Sequence, residues 1–135
     1  MFSLVESPTE DNLVTSLNLA LFWYSQGEWQ RMMVYEANAG STSRILGLDN
    51  LPATSNTSIS IELSRRRFWA YYILNQFVDR TASQKTRISG LEAVPLPCDE
   101  VRFESGALPA QHITLDSQER NTSLYAELIR ISSTW

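Results

Sequence analysis

The sequence predicts an all-α fold: an antiparallel helix hairpin, a long buried helix, a Pro-rich extended loop and a short C-terminal helix. Three observations carry this. Apolar residues recur at helical spacing from Leu13 onward, helix start and stop signals bracket the first two periodic segments, and one later segment is apolar almost all round.

The first helix is expected over residues 8–26. In "SPTE", Ser7 reads as the N-cap, Pro8 as the first helical residue and Glu10 as the reciprocal partner of a capping box. Leu13, Leu17, Ala20, Leu21 and Tyr24 form its apolar face, and Gly27 ends it. A second helix is expected over 28–47, with Trp29, Met33, Ala37, Ser41 and Ile45 facing inward. Gly47 then supplies a left-handed stop and Leu48 folds back on the last turn. The short connection makes the two helices an antiparallel hairpin.

A polar linker, residues 49–58, leads into a third helix predicted over 60–82. After Arg65, Arg66 and Arg67 it continues with Phe68, Trp69, Ala70, Tyr71, Tyr72, Ile73 and Leu74, a pattern that needs protein on every side. Pro, Gly and Ser breaks make the stretch from Lys85 to about Pro109 irregular. Within it, Val94 and Leu96 alternate with Pro95 and Pro97, which predicts an extended segment lying back on the helices. A last helix, 119–132, should present Leu124, Leu128 and Ile131 on one side, with Tyr125 and Ile129 beside them.

Composition narrows the functional classes. With 43% hydrophobic and 19% charged residues the 135-residue chain has the balance of one globular domain, not a charged tail. A net charge of −4 gives no overall attraction for polyphosphate. The expectation is a soluble, intracellular protein, since nothing reads as a membrane span or secretory leader. The "NTS" triplets at Asn56 and Asn121 are therefore read as chance matches to a glycosylation pattern.

Catalytic and metal chemistry find little to work with. His112 has no nucleophile motif near it, and Cys98 is the single cysteine, short of the roughly four ligands a structural zinc needs. Asp99 and Glu100 read as solvated carboxylates or arginine partners. The arginine run could grip phosphate, but consecutive helical residues splay about 100° apart, and the aromatics that follow belong to a core. Carboxylates such as Glu62 are the expected partners of the arginines. No catalytic, metal or ligand-binding residue is assigned.

One combination is more specific. The arginine run Arg65–Arg67 entering Phe68 and Trp69, followed some twenty residues later by Val94, Pro95, Leu96 and Pro97, resembles the fungal-specific transcription factor domain. This is the middle regulatory region of fungal binuclear zinc cluster regulators. Leu46, Gly47 and Leu48 stand where that family often ends the second helix of a hairpin. The likeness covers about residues 13–103. Asn75 and Gln76 depart from the family's usual Asp-Arg, and Ser83, Gln84 and Lys85 from its Gly-Arg-Pro.

The resemblance implies a nuclear regulatory region, part of a longer factor, that modulates transcription driven by a separate zinc cluster module. That module would hold the zinc and contact DNA; this chain would do neither. The implied partners are other parts of the factor or a protein partner, with any small-molecule effector unspecified; separately, apolar surface left uncovered on the third helix makes a homodimer an expectation. Two other classes stay open on the residues alone: a helical protein–protein interaction module and a small helical enzyme, both unrelated to transcription.

Overall fold

A computed structural model describes residues 7–51, 58–82, 88, 90–108, 112–117 and 123–134. Five α-helices occupy them, α1 (Glu10–Ser25), α2 (Trp29–Ile45), α3 (Ile59–Ala82), α4 (Glu100–Ser105) and α5 (Leu124–Ser133), with single 3-10 turns at Leu48–Asn50 and Leu91–Ala93. No strand occurs among the described residues. The chain is all-α, and α1 and α2 form the expected hairpin, with α3 packed across both.

The start of α1 differs from expectation. Thr9, not Ser7, is the N-cap; its hydroxyl accepts from the Asn12 N–H at 3.2 Å. Glu10 is consequently the first helical residue and completes no capping box. Its carboxylate is drawn instead to α3, where it accepts from Ser64 Oγ at 2.6 Å and from Arg67. The buried side of α1 is Leu13, Ser16, Leu17 and Ala20, whereas Leu21 is half exposed.

The inner face of α2 also departs from expectation. Trp29, Met33, Ala37, Ser41 and Ile45 are all exposed, and Met32, Ala39, Gly40 and Ser43 are buried. A strict four-residue spacing drifts about 40° per step, so five such residues cannot share a face. Alternating steps of three and four, as in Met32, Glu36, Ala39, Ser43 and Leu46, hold one line. Small residues at 39, 40 and 43 bring α3 close. An added Cβ on Gly40 would lie 2.5 Å from the Tyr71 hydroxyl oxygen.

Leu46 caps α2, Gly47 adopts φ +63°, and Leu48 turns back into the core at 3% exposure, as the helix-stop reading requires. Along α3, Phe68, Trp69, Tyr72, Leu74 and Val78 are buried. Trp69 meets Tyr72 and Phe68 edge-to-face, with ring centroids 5.3 and 5.4 Å apart. Burial of each such side chain stabilises by about 1.5–3 kcal/mol, which makes α3 the axis of the core.

The last helix presents Leu124, Leu128 and Ile131 on one side, as expected, and that side is the outer one. Leu124, Leu128 and Ile131 face solvent, and Ala126, Ile129 and Ser132 are buried. The small side chains on either side of Ile129 allow close approach to α3, and Tyr125 O–H donates to the Arg66 carbonyl at 2.8 Å, which fixes the rotation. Ser123 is the N-cap of α5, so the described helix begins five residues later than the expected residue 119. Residues 119–122, most of the linker, Asn56, Asn121 and Ser83–Lys85 lie outside the described residues. The short helix α4 falls inside the stretch read as irregular. Six residues are too few to display a helical period, although Asp99 caps it and Gly106, at φ +73°, closes it.

The Gly40–Tyr71 contact yields a test. Gly40→Ala gains about 1 kcal/mol of helix propensity, but overpacking costs about 1–3 kcal/mol. We expect net destabilisation in urea unfolding, and a smaller loss when the same change is made in a Tyr71→Phe background. Equal losses in both backgrounds would place the strain elsewhere.

Candidate functional site

The arginine run does not open α3. The helix begins six residues earlier, at Ile59, so the arginines sit in its second and third turns. Nor are they a wet end: the side chains of Arg65, Arg66 and Arg67 are only 1, 16 and 24% exposed. Each points a different way and each finds a carboxylate. Arg65 Nη1 donates to Glu62 Oε2 at 2.8 Å, and Arg66 Nε donates to Glu62 Oε1 at 3.3 Å. Arg67 reaches across to Glu10, with Asp11 3.5 Å away.

Glu62 is the centre of this cluster. It is 1% exposed, and besides the two arginines its Oε1 accepts from the Cys98 N–H at 2.9 Å. Taking a carboxylate out of water costs several kcal/mol unless its oxygens are fully engaged. Here two guanidinium groups and a backbone N–H engage them. Arg65 is less well served. Its Nε and Nη2 are buried with no partner among the described residues, a penalty of about 1–3 kcal/mol per group.

The Pro-rich segment docks on this cluster. Val94, Pro95, Leu96, Pro97 and Cys98 are all buried. A buried stretch must satisfy its backbone polar groups, and Pro95 and Pro97 remove two N–H donors from the demand. The remaining three are met: Val94 N–H by the Leu91 carbonyl at 3.1 Å, Leu96 N–H by Ile113 at 2.7 Å, and Cys98 N–H by Glu62. Two carbonyls are held by α3. Trp69 Nε1–H donates to the Pro95 oxygen at 2.8 Å, and Arg66 Nη2 donates to the Cys98 oxygen at 2.8 Å.

Arg66 thus ties three elements together. Its guanidinium lies 4.2 Å from the Phe103 ring centroid of α4 and 5.9 Å from that of Tyr125 on α5, and Glu100 stands 3.9 Å away. Burial raises the Tyr125 hydroxyl well above its usual range, against a smaller lowering by Arg66, so it stays a proton donor. Asp99 caps α4 and pairs with Arg102, and Glu100 accepts from Ser123 Oγ at 3.2 Å. Both adjacent carboxylates have structural partners.

The signature residues therefore assemble in two places. Arg65, Arg66 and the Cys98 N–H converge on Glu62, with Trp69 bonded to Pro95 on the same loop, while Leu46, Gly47 and Leu48 end the second helix of the hairpin. Arg67 is turned away toward α1. Sequence reasoning named Glu62 from its spacing of three and four to Arg65 and Arg66. It missed Glu10, 57 residues from Arg67, and the aromatic partners Phe103 and Tyr125. No local signal marks those long-range contacts.

As a reactive centre the cluster offers little. Burial first, then the Glu62 carboxylate, push the Cys98 thiol up to about 11, with Arg66 opposing. His112 is half buried, next to Ile113, whose carbonyl accepts from the Leu96 N–H at 2.7 Å. No group of three or more His, Cys, Asp or Glu that could hold a metal ion occurs among the described residues, and no described helix is long and apolar enough to cross a membrane. Compared with family models, curated proteins and solved structures, the chain matches none.

Two measurements follow. Glu62→Ala strands Arg65 in the core and should lower stability by about 3–5 kcal/mol, and Glu62→Leu combined with Arg65→Met should cost markedly less. Equal losses would mean that the charge pairing is incidental. For Cys98, a thiol raised in the folded state favours folding below its unfolded value, and that contribution fades as pH climbs toward about 11. Alkylation at pH 8 should accordingly be slow in the folded protein and fast in denaturant. Rapid labelling of the folded chain would contradict the buried setting.

Proposed function

We propose that this chain is a regulatory region of a fungal transcription factor, modulating transcription driven by a separate zinc cluster DNA-binding module. The observation that carries the reading is the joining of the two segments on which the resemblance rests. The Arg65–Trp69 stretch of α3 holds Val94–Cys98 through Trp69, Arg66 and Glu62, 26 or more residues apart in sequence. A signature shared by one domain requires its two segments to meet, and here they do.

On this reading the chain works in the nucleus and has no catalytic step. Zinc belongs to the attached module, and the partners are the rest of the factor or another protein. Arg65, Arg66 and Arg67 are committed to carboxylates and to the backbone of the loop, which leaves that run little with which to neutralise phosphate. What the region contributes is a rigid helical body whose conformation or contacts set how strongly the zinc module activates.

The test separates regulation from DNA contact. The chain, fused to a heterologous zinc cluster module, should change reporter output several-fold while leaving occupancy of the DNA site unchanged. Trp69→Ala, which unhooks the loop, should abolish that change. The isolated chain should bind neither zinc nor DNA near physiological salt. Unchanged output from the fusion would reject the regulatory role, and salt-dependent DNA binding by the chain alone would reject the division of labour.

A further inference from the structure

Between α1, α3 and α5 lies an uncovered groove of about 340 Å³, floored by Ala70, Ile73 and Leu74 and edged by Leu21, Phe77 and Tyr125. No Asp, Glu, Lys, Arg or His lines it. Beside it runs a ridge. On α5, Leu128 sits about 60° round the helix from Tyr125, and Leu124 and Ile131 continue the same way by about 40–60° more. The turn is away from buried Ile129, so the ridge extends the groove wall into solvent. Glu127 and Arg130, paired at 3.7 Å, lie beyond it.

We propose that this ridge and groove are the two halves of a homodimer interface, each copy laying Leu124, Leu128 and Ile131 into the groove of the other. The surface is self-complementary because ridge and groove adjoin on one face, the condition for a two-fold, isologous contact. Their lengths agree: nine residues of α3 from Ala70 to Val78 and eight of α5 from Leu124 to Ile131 span about 12 and 10 Å.

Area points the same way. Leu124 is 83% exposed, and Leu21, Leu128, Ile131 and Phe77 between 41 and 53%. These side chains leave on the order of 500 Å² of apolar surface in water per copy, as large as the biggest patches on monomers. Two copies together cover roughly 1,000 Å², the lower edge of specific interfaces. Each copy carries a net charge of −4, so a contact free of charged side chains adds no close like-charge pair to the repulsion between copies. The inference stands on the surface alone and is independent of the transcriptional reading.

Sedimentation of the whole chain tests it. The wild type should be a dimer that dissociates in the micromolar range. Leu128→Glu and Leu21→Lys, both at half-exposed positions, should each give a folded monomer with unchanged circular dichroism. Mixing the two should restore a heterodimer, because the new glutamate of one meets the new lysine of the other across one of the two contacts. Val101→Glu, an exposed apolar residue on α4 outside the patch, should dimerise as the wild type does. A wild-type monomer up to about 100 μM, open-ended aggregation, a Leu128→Glu dimer, or failure of the mixed pair would each overturn the proposal.

Discussion

A carboxylate with 1% exposure has to be surrounded by donors, and most of this structure can be read as the arrangement that surrounds Glu62. Two of its partners, Arg65 and Arg66, come from the next turn of the same helix and need only helical spacing. The third is a backbone N–H from Cys98, 36 residues away. That contact constrains topology, because the chain must leave α3, reverse and return with its peptide plane aimed at the acid. Once it does, Arg66 meets the Cys98 carbonyl and Trp69 meets that of Pro95. Hydrophobic burial of Phe68, Trp69 and Tyr72 supplies the larger free energy, but it has no direction. The register of loop against helix is set by the charged centre.

This distinction explains what could be seen in the sequence. Helix existence was legible because it depends on periodicity and local stops: the hairpin, α3 and the Gly47 termination follow from neighbouring residues. Helix rotation was not. On α2 the buried line Met32, Ala39, Ser43 looked weaker than the exposed Trp29, Met33, Ile45, because small residues that admit a neighbouring helix carry little hydrophobic signal. On α5 the strongest apolar stripe, Leu124, Leu128 and Ile131, proved to be the exposed one. Hydrophobicity marks surfaces that seek cover, and it does not say whether the same chain provides the cover.

The site shows the same division. Glu62 was readable as a partner of the arginines, since i,i+3 and i,i+4 pairs are written in the sequence. The pairing of Glu10 with Arg67 and Ser64 was hidden, and it also displaced a capping box that local rules favoured. A Ser-x-x-Glu pattern has two uses for its glutamate: to bond back to the cap residue or to reach a cation on another helix. Here Thr9 serves as the cap, with Asn12 as its donor. That frees Glu10 for α3, where a charge-assisted bond is the stronger interaction.

The loop is where fold and function meet. Val94–Cys98 is itself neither helix nor strand, yet each of its three N–H groups is bonded and its side chains are in the core. Alternating prolines make this workable: they cut the N–H donors of these five residues to three and leave fewer conformations to give up on folding. A segment held this way is not a lid, since lifting it would expose Glu62, Arg65 and several apolar side chains at once. The loop is held to α3 through Trp69, Arg66 and Glu62, and Arg66 in turn lies against Phe103 and Tyr125. Tyr125 is also the wall of the uncovered groove. The charged centre and the apolar surface thus meet at Tyr125, which lines the groove and donates to the Arg66 carbonyl at 2.8 Å.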